Sequence, residues 1–149
     1  MPHFGLMDEN KMQADEAALM RAKLHFRCGK RRVREGKLAD GISTLYDALL
    51  SSMRWYALKN EAIHAEIHRQ GEDILENDVR LQQLIAAYGA WPADLNFQKL
   101  LALVNTALSN NVQDLDRDLF INQIENLLTG LGVLPFDEAA LPPEDPATF

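Results

Sequence analysis

The sequence contains a single cysteine, Cys28, so no disulfide can form within the chain. It also lacks long apolar runs, and none approaches the roughly 18 residues that a membrane-spanning helix needs. The first residues do not follow the basic and then apolar plan of a secretory signal peptide. These absences exclude a disulfide-stapled fold and a membrane protein, and we expect a cytoplasmic protein without membrane contact.

Alternating runs of β-branched residues bounded by turn signals are also missing, so the sequence predicts no β-strand. Apolar residues still make up 47% of the 149 residues, which is enough to build a buried core. They recur at steps of three and four, the spacing that places side chains on one face of a helix. The sequence therefore predicts an all-α fold.

Five helical segments are predicted, over approximate residues 8–36, 38–71, 72–88, 93–111 and 114–132. Short connections make successive helices antiparallel, so we expect an up-and-down bundle of about five helices. Its two long N-terminal helices would form an antiparallel hairpin, with a break near Lys59–Asn60 left open. The predicted organisation is a flexible lead-in at 1–7, a single helical domain at 8–134 and an irregular tail rich in proline and acidic residues at 135–149.

Several large apolar side chains are assigned to buried positions by this pattern. Tyr88, Leu108 and Leu119 fall on the apolar stripes of the last three helices and are predicted to face the core. Core or interface positions, rather than a ligand pocket, are predicted for three aromatic residues, Trp55, Tyr56 and Trp91.

The basic residues are concentrated in one segment, although the whole chain carries a net charge of −7. Residues 21–37 hold eight basic side chains against one acidic residue, Glu35, so this segment carries +7 and the rest of the chain −14. Five of the basic residues fall on one helix face that could follow phosphates: Lys23, Arg27, Lys30, Arg31 and Arg34. The competing interpretation is a solvated face paired with acidic residues of the second and third helices, such as Glu61, Glu66, Glu72, Asp73 and Glu76.

Glu61, His64, His68 and Glu72 share one helix face if the second helix continues past Gly71. Glu-x-x-His is the element of di-iron carboxylate bundles, and His-x-x-x-His can hold zinc from adjacent turns. The chain contains only one Glu-x-x-His, so the second half of a di-iron site is absent. Boundary histidines with ordinary hydrogen bonds are the competing interpretation, and we expect no cofactor.

Signals for other chemistry are few. The sequence has no phosphate-binding loop, no dinucleotide fingerprint and no glycine-flanked serine of a nucleophile elbow. Cys28 lies in a basic neighbourhood that would lower a thiol pKa if the thiol were exposed. His25 would be the base for this thiol, but two side chains three residues apart on one helix are poorly aligned for proton transfer. The chain is therefore not predicted to be an enzyme.

Residues 21–29 read Arg-Ala-Lys-Leu-His-Phe-Arg-Cys-Gly and residues 34–50 read Arg-Glu-Gly-Lys-Leu-Ala-Asp-Gly-Ile-Ser-Thr-Leu-Tyr-Asp-Ala-Leu-Leu. Together, within residues 21–58, they resemble the first helical hairpin of HEPN domains, over about a quarter of the chain. In that family a long helix ends at a glycine, and the next helix turns an aromatic and a small residue toward the core. The matching positions are Gly36, Ile42, Tyr46 and Ala48.

HEPN ribonucleases also carry an arginine followed, after four to six residues, by a histidine. This sequence has three residues between Arg21 and His25 and nine between Arg54 and His64. The resemblance therefore implies an interaction role without the catalytic pair.

A tetratricopeptide hairpin is the competing resemblance, carried by Gly29, Gly36, Leu45 and Ala48, with Gly41 where that unit prefers alanine. No second copy follows at a 34-residue period, and stacking needs about three units. What the two resemblances share is a tightly packed helical hairpin.

The function predicted from these observations is a non-catalytic helical interaction module that self-associates, with an unknown protein partner. A second helix of about thirty residues would span about 45 Å, more than the later helices could cover, so a homodimer is expected. The alternatives are a HEPN-like protein that contacts nucleic acid or a nucleotide through the basic face, and a metal-binding enzyme around Glu61, His64 and His68.

Overall fold

The structure is a computed structural model and describes residues 6–109, 112 and 114–149. Its six α-helices are α1 (Ala14–Arg34), α2 (Leu38–Lys59), α3 (Glu61–Gln70), α4 (Asp78–Ala87), α5 (Phe97–Leu108) and α6 (Arg117–Gly130). The described residues include no β-strand. The predicted all-α bundle, led by an antiparallel hairpin of two long helices, is confirmed. Residues 1–5 of the predicted lead-in lie outside the described residues.

The α1–α2 hairpin is held close by glycines. Gly29 lies opposite Leu45, and Gly41 lies opposite Val33, so a four-residue step along α1 matches a four-residue step back along α2. A β-carbon at Gly41 would lie 2.7 Å from the backbone nitrogen of Val33, which leaves no room for a side chain. Between the helices, Gly36 takes a φ of +85°, a left-handed conformation that favours glycine and ends α1.

The second predicted helix is divided at Asn60. α2 ends at Lys59, and Asn60 has an extended backbone whose side-chain oxygen accepts a hydrogen bond from the Ile63 amide, so it caps α3. α2 therefore has 22 residues, or about 33 Å, and not the thirty residues on which the homodimer expectation was based. Gly71, with φ +124°, ends α3 before a short 3₁₀ helix, Glu72–Glu76.

The later helices begin further along the chain than predicted. The helix predicted over residues 72–88 is divided into two elements. Its first turn is the 3₁₀ helix Glu72–Glu76, and α4 begins after Asn77, whose side chain caps it. α5 begins at Phe97, where Asn96 accepts a hydrogen bond from the Lys99 amide. α6 begins after Asp116, which caps it through the Leu119 amide. Asn110 and Asn111, the predicted end of the fourth helix, lie outside the described residues.

α2 is the central helix of the bundle and contacts each of the other five. Its core side chains Ile42, Leu45, Leu49 and Met53 have no accessible surface. α6 packs against both helices of the hairpin through a face that includes Phe120. No helix of the described residues combines the length and the apolar character needed to cross a membrane.

The segment 135–149 follows a cis Leu134–Pro135 peptide bond and packs back on the bundle. It contains two single-turn 3₁₀ helices, Glu138–Ala140 and Pro146–Thr148, and no α-helix. Leu141 is buried, and the Phe136 ring meets the Phe26 ring edge-on at a centroid distance of 6.3 Å. This segment, named the C-terminal strap below, contacts the outer face of α1.

Candidate functional site

A groove of about 330 Å³ lies between α2 and α5, next to the start of α4. Its lining residues follow helical spacing on both sides, because positions three and four apart share one helix face. From α2 they are Ser43, Tyr46, Asp47 and Leu50; from α4, Asp78; and from α5, Leu101, Val104, Asn105 and Leu108. We call this feature the α2–α5 groove.

The polar groups of the groove include a close pair. The Tyr46 hydroxyl donates to Asp78 Oδ2 at 2.5 Å, while Asp78 Oδ1 accepts from the Val79 amide at 2.8 Å. Burial raises the pKa of Tyr46, and the hydrogen bond to Asp78 raises it further, so the hydroxyl stays protonated. Tyr46 also stacks on Phe97 at a ring distance of 6.5 Å, which joins α2, α4 and α5.

Asp47 is held from α1 by two side chains. Arg21 donates to both carboxylate oxygens, at 2.9 and 3.0 Å, and His25 Nδ1 lies 2.6 Å from Oδ2. Burial opposes the ionisation of Asp47, but the hydrogen bonds from His25 and Arg21 outweigh it and hold its pKa well below the usual value. Asp47 is therefore a charged group whose negative charge is neutralised by its own helical hairpin.

The rim of the groove is apolar and open. Leu108 exposes 68% of its surface, although it was predicted to face the core. Leu119 and Tyr88, predicted inward by the same pattern, are 54% and 46% exposed. All three lie within one or two residues of a helix end, where the packing of neighbouring helices no longer covers the stripe.

The basic face of α1 is in contact with the C-terminal strap. Lys30 pairs with Glu138 at 2.6 Å, Arg27 donates to the Pro142 carbonyl at 2.6 Å, and Arg31 pairs with Glu144 at 3.1 Å. Lys23 lies over the Phe136 ring at 5.6 Å. Arg34 is exposed, and its backbone carbonyl accepts from Arg117.

Three of the five acidic residues suggested for this face pair with basic residues outside α1. Glu66 pairs with Arg69 on its own helix, Asp73 with Arg80 and Glu76 with Arg54. The carboxylates that do meet basic residues of α1 come from Glu9 just before that helix, from the α1–α2 hairpin itself and from the C-terminal strap, which lies more than 100 residues later in the chain.

The predicted metal ligands lie on or beside α3. Glu61, His64 and His68 are exposed on this helix, and Glu72 falls beyond Gly71 in the 3₁₀ helix. The helix ends at Gly71, so Glu72 does not share a helix face with Glu61, His64 and His68. Within residues 6–109, 112 and 114–149, no three His, Cys, Asp or Glu side chains are grouped so that they could hold a metal ion.

Cys28 is buried, with 1% of its surface accessible. Burial raises the pKa of its thiol despite the nearby guanidinium groups of Arg32 and Arg31, so the basic surroundings do not produce a thiolate. The three aromatic residues predicted for core or interface pack partly buried against the core, with Trp91 Nε1 donating to the Leu95 carbonyl at 2.8 Å.

No protein-family model, curated protein or solved structure matches this chain. The resemblance to HEPN and tetratricopeptide hairpins stays a prediction. The α2–α5 groove and the strap contact are therefore interpreted from their own geometry.

Sequence reasoning missed most of the groove. A partial signal existed, because Asp47 interrupts the apolar run of α2 and His25 stands between Leu24 and Phe26 on α1. A charged and a titratable residue within apolar runs indicate a buried pair. Nothing in the sequence indicated that Asp78 would meet Tyr46, since 32 residues separate them.

Proposed function

We propose that this chain is a non-catalytic helical interaction module that self-associates through the α2–α5 groove. The observation that supports it best is Leu108, which lines the groove and still exposes 68% of its surface. An exposed leucine beside an apolar groove is typical of a surface that is covered in an assembly.

The free surface of the groove favours an apolar partner. Tyr46 and Asp78 bind each other, and Asp47 is neutralised by Arg21 and His25. A partner that enters the groove therefore meets mainly Leu50, Leu101 and Val104, without having to satisfy an isolated charge.

A second copy of the chain fits this arrangement. In a two-fold dimer the same patch is used by both subunits, so a surface must be complementary to itself. Leu108 belongs to a patch with both a groove and a protruding side chain, so each copy can insert its leucine beside the other's α5. Burying a leucine contributes about 1.5–3 kcal/mol, and a dimer buries two.

Sedimentation velocity over a dilution series of the full chain tests the proposal. We expect a concentration-dependent dimer for the wild type and a monomer for Leu108→Glu, because a carboxylate would be buried at the interface. Leu119→Glu is the matched control, since Leu119 is exposed but does not line the groove. A wild type that stays monomeric at the highest concentration, or equal effects of both variants, would contradict the proposal.

The nucleic-acid alternative depends on cations that have contacts within the chain. Arg27, Lys30 and Arg31 all meet the C-terminal strap. Retention of RNA or DNA at about 150 mM salt, lost in an Arg31→Glu/Arg34→Glu variant, would favour this alternative over the interaction module.

The metal alternative is tested separately by chelation. Loss of a bound ion at His64 and His68 would lower the melting temperature, whereas an unchanged melting temperature and helix content would exclude a bound metal.

We also propose a cytoplasmic location, because the lone cysteine has no partner for a disulfide in the chain.

A further inference from the structure

The C-terminal strap binds α1 through chemistry that a separate peptide could reproduce. Its contacts are two carboxylates on cations, Glu138 on Lys30 and Glu144 on Arg31, and one backbone carbonyl, that of Pro142, on Arg27. The Phe149 ring lies 4.0 Å from the Arg31 guanidinium carbon, a cation–π contact. These are the contacts of an acidic peptide on a basic surface.

Space remains at the seam between the strap and α1. A cavity of about 420 Å³ there is lined by Arg27, Lys30, Arg31 and Arg34 of α1 and by Glu35, Glu138 and Glu144. Four cations against three carboxylates leave an excess of positive charge. This surface therefore keeps an attraction for anions even with the strap in place.

The strap is held on α1 mainly by side-chain contacts and has little regular structure of its own. Its regular structure is two single-turn 3₁₀ helices, and Leu141 is its buried apolar residue within residues 135–149. The Glu138 side chain is 43% exposed, and an ion pair at such a position contributes little to stability. Glu144 is only 14% exposed, so its pair with Arg31 is the contact that a competing carboxylate has to replace. A competing acidic segment can replace these contacts one at a time.

We propose that the basic face of α1 is a receptor site for an acidic peptide segment of a partner protein, and that the C-terminal strap is its resident competitor. The strap lowers the affinity of the site for the partner because the site must first be vacated. This site is on α1 and is separate from the α2–α5 groove, so each proposal can fail without the other.

The test uses the full chain and a fluorescent synthetic peptide with the sequence of residues 135–149. In a Glu138→Gln/Glu144→Gln variant the strap loses both carboxylates, and we expect this variant to bind the peptide about tenfold more tightly than the wild type. Fluorescence anisotropy measures both affinities. Adding Arg31→Glu to the variant should weaken binding about tenfold or more, since it removes the partner of one carboxylate.

Lys99→Glu in the same background is the matched control, because it makes an equal change of charge on an exposed position of α5. If Arg31→Glu lowers the helix content, Arg31→Gln replaces it. Equal peptide affinity for the wild type and for Glu138→Gln/Glu144→Gln would overturn the proposal. Equal losses of peptide affinity from Arg31→Glu and Lys99→Glu would overturn it as well. If Glu138→Gln/Glu144→Gln binds a single-stranded oligonucleotide more tightly than it binds the peptide, the proposal is overturned in favour of a nucleic-acid surface.

Discussion

Asp47 connects the two long helices at the level of single residues. Arg21 and His25 of α1 both reach its carboxylate, and 15% of the Asp47 side chain remains exposed. Removing one member of such a pair leaves the others buried without compensation, which costs more than the pair itself contributes.

Asp47→Asn should lower the free energy of unfolding by about 3 kcal/mol near neutral pH. The pKa of Asp47 is lower in the folded chain than in the unfolded chain, so its contribution is present above the unfolded value of about 4 and is lost as pH falls below it. The stability difference between wild type and variant should therefore shrink on acidification. Urea unfolding at several pH values measures this difference.

Asp94→Asn is the control for Asp47→Asn, because Asp94 is exposed on the surface. It should leave stability near the wild-type value. A difference between wild type and Asp47→Asn that stays constant between about pH 7 and pH 3 would contradict the role given to this carboxylate.

Single residues also show where sequence patterns reach their limit. The three- and four-residue spacing identified Phe120, Ile124 and Leu128 correctly as buried, but it placed Leu108 and Leu119 in the core as well. Spacing reports which side of a helix is apolar, whereas burial near a helix end depends on the neighbouring elements that cover it.

At the scale of elements, the hairpin depends on the close approach at Gly41. Gly41→Ala should destabilise the chain by about 2–3 kcal/mol, because the new β-carbon would lie 2.6 Å from a Val33 methyl and 2.7 Å from its backbone nitrogen. Thermal or urea unfolding measures the loss.

Gly130→Ala is the matched control for the hairpin glycine. Apart from the adjacent residues and the backbone of its own helix, no described atom lies within 4 Å of a β-carbon at Gly130, so alanine there should be neutral or stabilise by about 0.5–1 kcal/mol. Equal effects of the two substitutions would show that helix propensity, and not the approach of α1 to α2, determines the result.

Asn60 determines where the second helical segment divides. Asn60→Ala removes the side-chain cap on Ile63 and should lower the free energy of unfolding by about 1 kcal/mol. The comparison is Asn60→Asp, which keeps an oxygen acceptor and should restore most of the stability in the same unfolding assay. If both variants lose the same amount, the side-chain oxygen at position 60 does not stabilise the start of α3.

The helices could be predicted from the sequence because their signals are local. Periodicity and the glycines at 36 and 71 gave the order of the helices and most of their bounds, although five segments were predicted and six α-helices are present among the described residues. Lys59–Asn60 was identified as a possible break. Periodicity could not choose between one helix and two there, because Ile63 and Ile67 stay buried on the interrupted stripe. The decision rests on the extended backbone of Asn60.

At the scale of the whole molecule, the reactivity of the Cys28 thiol can be used to measure how firmly the C-terminal strap is docked on α1. Its sulfur accepts from Arg31 at 3.6 Å, and Arg31 is held by Glu144. In Glu138→Gln/Glu144→Gln, we expect Cys28 to react with a thiol reagent about tenfold faster than in the wild type, since weaker docking exposes the sulfur more often.

Glu61→Gln/Glu72→Gln is the control for the thiol assay, because it removes the same number of charges from exposed positions around α3. It should leave the reaction rate of Cys28 unchanged. Equal acceleration by the two double variants would mean that the strap does not protect this face.

The contacts of the C-terminal strap and of the α2–α5 groove could not be predicted from local sequence patterns. Composition identified 135–149 as rich in proline and acid, but its contacts with α1 follow from tertiary packing across more than 100 residues. The basic segment was found from charge alone, whereas its partners Glu138 and Glu144 had no distinguishing signal.

The same separation sets an order of events during synthesis. The residues that meet Lys30 and Arg27 are added 108 and 115 positions later, which takes about 5–23 s at a synthesis rate of about 5–20 residues per second. The α1–α2 hairpin can close long before then, with its outer basic face bare. On a nascent chain the cations of this face therefore lack their strap partners until the last residues have been added.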